Sequence, residues 1–141
     1  MTGLELMKMM IAGKVPPPTM ASHFDMKLVD VREGYALFEA KADDTHLNPL
    51  QSVHGGFAST ILDSACGTAT ATTLPAGKGF TSIDLSIKFL RPVPQGEVLA
   101  CEGIVQRPGR TVAFTEATLK TKEGRLLAHA TSALAIIDLP S

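Results

Sequence analysis

The stretch from Gly56 to Thr73 constrains the fold more than any other part of this 141-residue sequence. Phe57, Ile61, Leu62, Ala65 and Ala69 recur there at spacings near four, the period of one helix face. Gly67 and the threonines Thr60, Thr68, Thr70, Thr72 and Thr73 all weaken helix propensity, and Ala and Ser fill much of the remainder. A helix this poor in propensity persists by being buried, and its small side chains let a sheet approach closely. Leu74-Pro75-Ala76-Gly77 closes it.

Around that helix the pattern is β. Residues 24–41 read as a strand pair broken near Arg32-Glu33-Gly34, followed by a polar loop from Ala42 to Ser52. Residues 81–89 alternate: Thr81, Ile83, Leu85, Ile87 and Phe89 on one face, Ser82, Asp84, Ser86 and Lys88 on the other. That period of two predicts one half-buried strand. Strands over 97–106 and 111–120 flank Arg107-Pro108-Gly109-Arg110, where Pro-Gly suits the centre of a type II turn. A turn at 122–124 precedes a last strand over 125–138. At the N-terminus, residues 3–13 read as a short helix carrying Leu4, Met7 and Ile11 at helical spacing, ended by Pro16-Pro17-Pro18. The expectation is a single α+β domain over 1–141: an antiparallel six-stranded sheet wrapped around one long central helix. Residues 1–20 supply an N-terminal helix and Pro-rich connector.

Apolar residues make up 45% and charged residues 19%, which suits one compact core. The formal net charge of -1 and the lack of any basic run give no electrostatic footprint for nucleic acid. Glu5 and Lys8 interrupt the N-terminal apolar stretch, and no run approaches the ~20 apolar residues of a membrane helix. A cytoplasmic chain is expected, with Cys66 and Cys101 as reduced, buried small hydrophobes. Neither has a CxxC partner and His23, His46, His54 and His129 show no ligand spacing, so neither a metal nor a cofactor is expected.

The chemistry concentrates in residues 46–67. His54-Gly55-Gly56 precedes a helix N-terminus, where unpaired amides and the helix dipole favour negative charge. Such a corner is either a tight loop-to-helix turn or a donor for an oxyanion, worth roughly 3 kcal/mol in a transition state. Asp63 lies within an otherwise apolar and small-residue helix, with no Lys or Arg between His54 and Lys78. It either faces the surface or is kept as a carboxylate for general-base or nucleophilic work. Gly55 and Asp63 stand eight residues apart, about 12 Å along a regular helix. One carbonyl therefore cannot touch both within one chain, and joint action on it requires two copies.

The run Asn48, His54-Gly55-Gly56, Asp63 resembles the hotdog-fold acyl-CoA thioesterases of the phenylacetate-degradation type, as do residues 80–93 and 109–114. The resemblance covers roughly residues 25–138. It implies a hotdog fold, assembled as a homodimer and often as a homotetramer, and hydrolysis of acyl-CoA to free acid and CoA. It assigns Asp63 as general base or nucleophile and the Gly55 amide as oxyanion donor. Asn48 and His54 position thioester and water, and Ser82 matches a hydroxyl that holds the water. The strand alternation, however, places Ser82 opposite the apolar face. Glycines at Gly56 and Gly109 would let substrate approach the backbone. Lys88, Arg91, Arg107 and Arg110 are candidate cations for the CoA phosphates. Phe57, Phe80 and Phe89 are candidates for lining an acyl pocket, beside their ordinary role in a core. Many relatives have glycine where this chain has Gln51, and some place a hydroxyl where it has Gly67. Two other readings are a non-catalytic acyl-CoA-binding module and an acyl-CoA hydratase. The order His54 then Asp63 disfavours the hydratase.

Overall fold

The computed structural model describes residues 1–140. Helix α1 (Gly3–Ile11) and a 3-10 turn (Thr19–His23) lead into β1 (Met26–Arg32) and β2 (Tyr35–Lys41). Helix α2 (Gly55–Ala71) follows, then β3 (Lys78–Ser82), β4 (Ser86–Phe89), β5 (Val98–Arg107), β6 (Val112–Thr121) and β7 (Leu126–Asp138). The antiparallel sheet runs β1-β2-β5-β6-β7, with β3 and β4 sharing the sixth position against β7. This is the six-stranded α+β hotdog arrangement, curled around α2.

Helix α2 buries ten residues, among them Phe57, Ile61 and Leu62. Burying those three large side chains contributes about 1.5–3 kcal/mol each. The propensity losses at Gly67, Thr60, Thr68 and Thr70 together cost only about 3 kcal/mol, so burial wins. The hydroxyls also bond back into the helix: Ser59 donates to the Gly55 carbonyl, Thr60 to Gly56 and Thr70 to Cys66. The sheet approaches so closely at Gly103 of β5 that a Cβ there would lie 2.1 Å from the Ala65 carbonyl oxygen.

Three local expectations are corrected. First, α1 ends at Ile11, before the prolines, through a Schellman motif. Gly13 is left-handed (φ 78°), its N–H reaches the Met10 carbonyl, and the Lys14 N–H reaches that of Met9. Second, Gly109 lacks the positive φ a type II turn needs; it is required instead because a Cβ would lie 2.0 Å from the Val112 carbonyl oxygen.

Third, the alternating run 81–89 is two strands rather than one. Asp84 breaks the ladder: its carboxylate accepts the Ala133 N–H (2.8 Å), while Ser132 Oγ donates to its carbonyl (2.7 Å). The register against β7 shifts by one residue between Ser82, opposite Leu134, and Ser86, opposite Thr131. A one-residue shift exchanges the two faces of a strand. Phe80 and Ser82 therefore face α2 before the break, and Leu85, Ile87 and Phe89 face the core and α2 after it.

Candidate active site

Asp63 is half-buried on the α2 face that meets β3, and Ser82 Oγ donates to its Oδ1 at 3.2 Å. The register break is what allows this contact, because unbroken alternation would turn Ser82 away. Asp63 and Ser82 stand on the wall of a cavity of about 710 Å³ whose other lining is largely apolar. Phe80 lines the same cavity, its ring lying over Gly67. A Cβ on Gly67 would sit 2.8 Å from that ring, so a hydroxyl-bearing residue cannot stand there unless Phe80 moves.

The other half of the constellation lies at the helix start. His54 caps α2: its Nδ1 accepts the Gly56 N–H at 2.7 Å, which leaves Nε2 to carry the proton in the neutral ring. Gly56 must be small, since a Cβ there would lie 2.9 Å from that Nδ1. The Phe57 N–H bonds the His54 carbonyl. The Gly55 N–H has no acceptor among the described residues. Gly55 itself lines a second, smaller cleft of about 310 Å³ with His54, Phe89 and Arg91 on its walls. Because α2 is continuous from Gly55 to Ala71, this cleft and the Asp63 cavity remain separate within one chain.

Asn48 serves its own loop. Its Oδ1 accepts the N–H groups of Leu50 (2.9 Å) and Ser52 (3.1 Å), folding residues 48–52 around Gln51, which is left-handed at φ 64°. That conformation is the physical reason glycine suits position 51. Phe57 is corrected: it is 2% exposed and packs in the core against His46 and Phe24 instead of lining a substrate pocket. The candidate cations divide between two ends of the molecule. Arg91, whose guanidinium donates to the Leu126 carbonyl, lines the Gly55 cleft, whereas Lys88 on β4 is exposed on the strand face opposite Phe89. Arg107, Gly109 and Arg110 lie at the β5–β6 hairpin.

Sequence reasoning gave His46 no role, yet it braces this region. The ring is buried; Nδ1 accepts the Asp43 N–H (3.0 Å) and Nε2 meets the His23 carbonyl (2.6 Å). Its backbone carbonyl receives the His54 N–H, so the residue that caps α2 is fixed through His46. Its signal lies in contacts between distant segments, which spacing does not carry. Burial pushes the Cys66 thiol up to about 11, with nearby Asp63 and Glu116 adding to the shift. Burial raises the Cys101 thiol as well. Both cysteines are free and buried, and neither is a nucleophile near neutral pH. Among the described residues no cluster of His, Cys, Asp or Glu is placed to hold a metal, and no helix is long and apolar enough to cross a membrane.

The profile of the thioesterase superfamily matches residues 50–128, the segment that carries Asp63, Gly55 and Ser82. The chain belongs to that family. Human acyl-coenzyme A thioesterase 13 is 31% identical over 103 residues, which span 72% of this chain and 73% of that protein. The crystal structure of a phenylacetic acid degradation-related protein from Ralstonia eutropha superposes with a TM-score of 0.83 at 28% identity, covering 92% of this chain and 98% of its own. The Escherichia coli PaaI protein shares the fold at a TM-score of 0.84 and 19% identity, covering 96% of each chain. The family match leaves residues 1–49 outside it, and with them α1, the connector, β1 and β2.

Proposed function

We propose that this thioesterase-superfamily chain hydrolyses acyl-CoA thioesters to a carboxylic acid and free CoA. The observation that carries the reading is the Asp63–Ser82 pair, 3.2 Å apart at the wall of an apolar cavity in a chain of this family. Ser82 occupies Oδ1 of Asp63, which leaves Oδ2 to take a proton from water attacking the thioester carbonyl. The developing oxyanion is met by the Gly55 N–H, with Nε2 of His54 beside it. The thiolate is a good leaving group, so no strong acid is needed.

Gly55 and Asp63 of one chain are too far apart to share a carbonyl, so the working unit is a homodimer. The Gly55 amide of one copy faces the Asp63 carboxylate of the other. The exposed β3–β4 edge supports this pairing, since Phe80, Ile83, Phe89 and Leu90 all lie on or beside it with at least a third of their surface open. Asn48 keeps a positioning role through its loop, and the four cations are the groups available to CoA phosphates.

The test is thiol release from a panel of acyl-CoAs. Wild type is expected to turn over, and Asp63→Asn to lose roughly 10²–10⁴-fold in kcat with its circular dichroism and oligomeric state unchanged. Normal turnover by that variant removes Asp63 from the mechanism. Single turnover in 18O-water tests for a nucleophile: label recovered in the Asp63 carboxylate requires an anhydride opened by water at the Asp63 carbonyl, whereas a general base leaves Asp63 unlabelled.

A further inference from the structure

The N-terminal segment lies outside the family match, yet it builds one whole wall of the Asp63 cavity. Helix α1 starts at the C-terminal end of α2. The Gly3 N–H donates to the Leu74 carbonyl (3.0 Å), and a Cβ on Gly3 would lie 1.8 Å from the Ala71 carbonyl oxygen. Past the connector, the His23 carbonyl meets His46, whose ring packs 4.7 Å from that of Phe57 in the first turn of α2. Residues 3–23 therefore run back along α2, antiparallel to it. Between them and α2 the cavity extends from Asp63 past Gly67 to Ala71. Its remaining lining includes Met7, Met10, Leu28 and Phe38, and among the described residues its only charged lining is Asp63 and Lys27.

Resting on the thioesterase reading, we propose that α1 is the acyl-selecting wall of this enzyme, with Met7 setting the length of chain that fits. The floor from Asp63 to Ala71 is eight residues of helix, about 12 Å. An extended chain advances ~1.2 Å per bond, so an unbranched acyl group of about ten carbons spans that floor. On this reading Gly3, packed on Ala71, closes the far end, and Met7, in the cavity lining, stands one helical turn from it. A short acyl group or an arylacetyl group fills only the Asp63 end and leaves the methionine wall untouched. Methionine suits such a wall, because its unbranched, polarisable side chain adapts to a flexible hydrocarbon. None of the residues of α1 is fully buried by the fold itself, so their apolar face remains open to a ligand.

The experiment is a kcat/KM series from acetyl- to myristoyl-CoA plus phenylacetyl-CoA, for wild type and Met7→Trp. Wild type is expected to gain about fourfold for each added methylene, the fold-change for ~0.8 kcal/mol, until about ten carbons and then level off. Met7→Trp is expected to lower the decanoyl-to-butyryl ratio at least tenfold. Hydrolysis with a flat profile, a phenylacetyl optimum or an unchanged ratio in Met7→Trp overturns the wall and leaves the thioesterase reading intact. The natural chain contains no tryptophan, so Met7→Trp also carries a single indole at the closed end. Its emission is expected to shift with a non-hydrolysable decanoyl-CoA thioether and to stay put with the butyryl analogue. This readout decides the proposal even if no thioester is turned over: a decanoyl-specific shift supports the wall, and equal or absent shifts overturn it.

Discussion

Asp63 and Gly55 show how differently two candidate site residues announce themselves. Asp63 stood out because a lone carboxylate on an apolar helix demands a reason. Gly55 stood out only in combination with His54 and the distance arithmetic. Ser82 was named from a resemblance against the apparent strand alternation, and its contact with Asp63 required a register shift that no local pattern discloses. His46 escaped altogether, because its partners, Asp43 and the His23 carbonyl, lie on segments that meet only in the folded chain. Gln51 yields a test at this scale. Its φ of 64° costs a non-glycine residue about 1–2 kcal/mol, and glycine returns ~0.5–1 kcal/mol of that as unfolded-state entropy. Gln51→Gly is therefore expected to stabilise the fold by roughly 0.5–1 kcal/mol, read as a higher urea midpoint at constant m.

Among the elements, α2 was the most legible, since apolar period and small residues both follow from being wrapped by a sheet. Its limits were read to within two residues of Gly55–Ala71. The hairpins were legible from their turns, though for Gly109 the reason was wrong: a carbonyl crowds the Cα where a left-handed φ was expected. The β3–β4 break was illegible, because the Asp84 carboxylate accepts a ladder N–H of β7 some fifty residues away in sequence. Two glycines where α2 meets the sheet, Gly103 on β5 and Gly67 on α2 itself, make contrasting predictions. Gly103→Ala drives a methyl into the Ala65 backbone, which cannot yield, and is expected to cost more than about 2 kcal/mol in urea unfolding. Gly67→Ala meets only the Phe80 ring, which can swing, so stability is expected to fall by under ~1.5 kcal/mol while acyl preference shifts.

At the scale of the molecule, the proposed mechanism divides one chain into two half-sites at separate places along one helix: a carboxylate with its serine, and an amide with its capping histidine. In the proposed homodimer symmetry resolves the separation, because a two-fold axis would bring each half of one copy to the opposite half of the other. Gly55 is the first residue of α2, where proline is tolerated, and His54 before it already has the extended backbone that proline favours (ψ 140°). Gly55→Pro thus deletes the proposed oxyanion donor while preserving the helix, and is expected to lose about 10²–10³ in kcat. The decisive measurement mixes this variant with Asp63→Asn, after reversible dissociation and reassociation, and follows thiol release. Each is nearly inactive alone, but every heterodimer contains one site with both groups intact. About a quarter of wild-type activity is expected to return on mixing equal amounts. Activity that stays at the level of the separate variants would contradict a site shared between two chains.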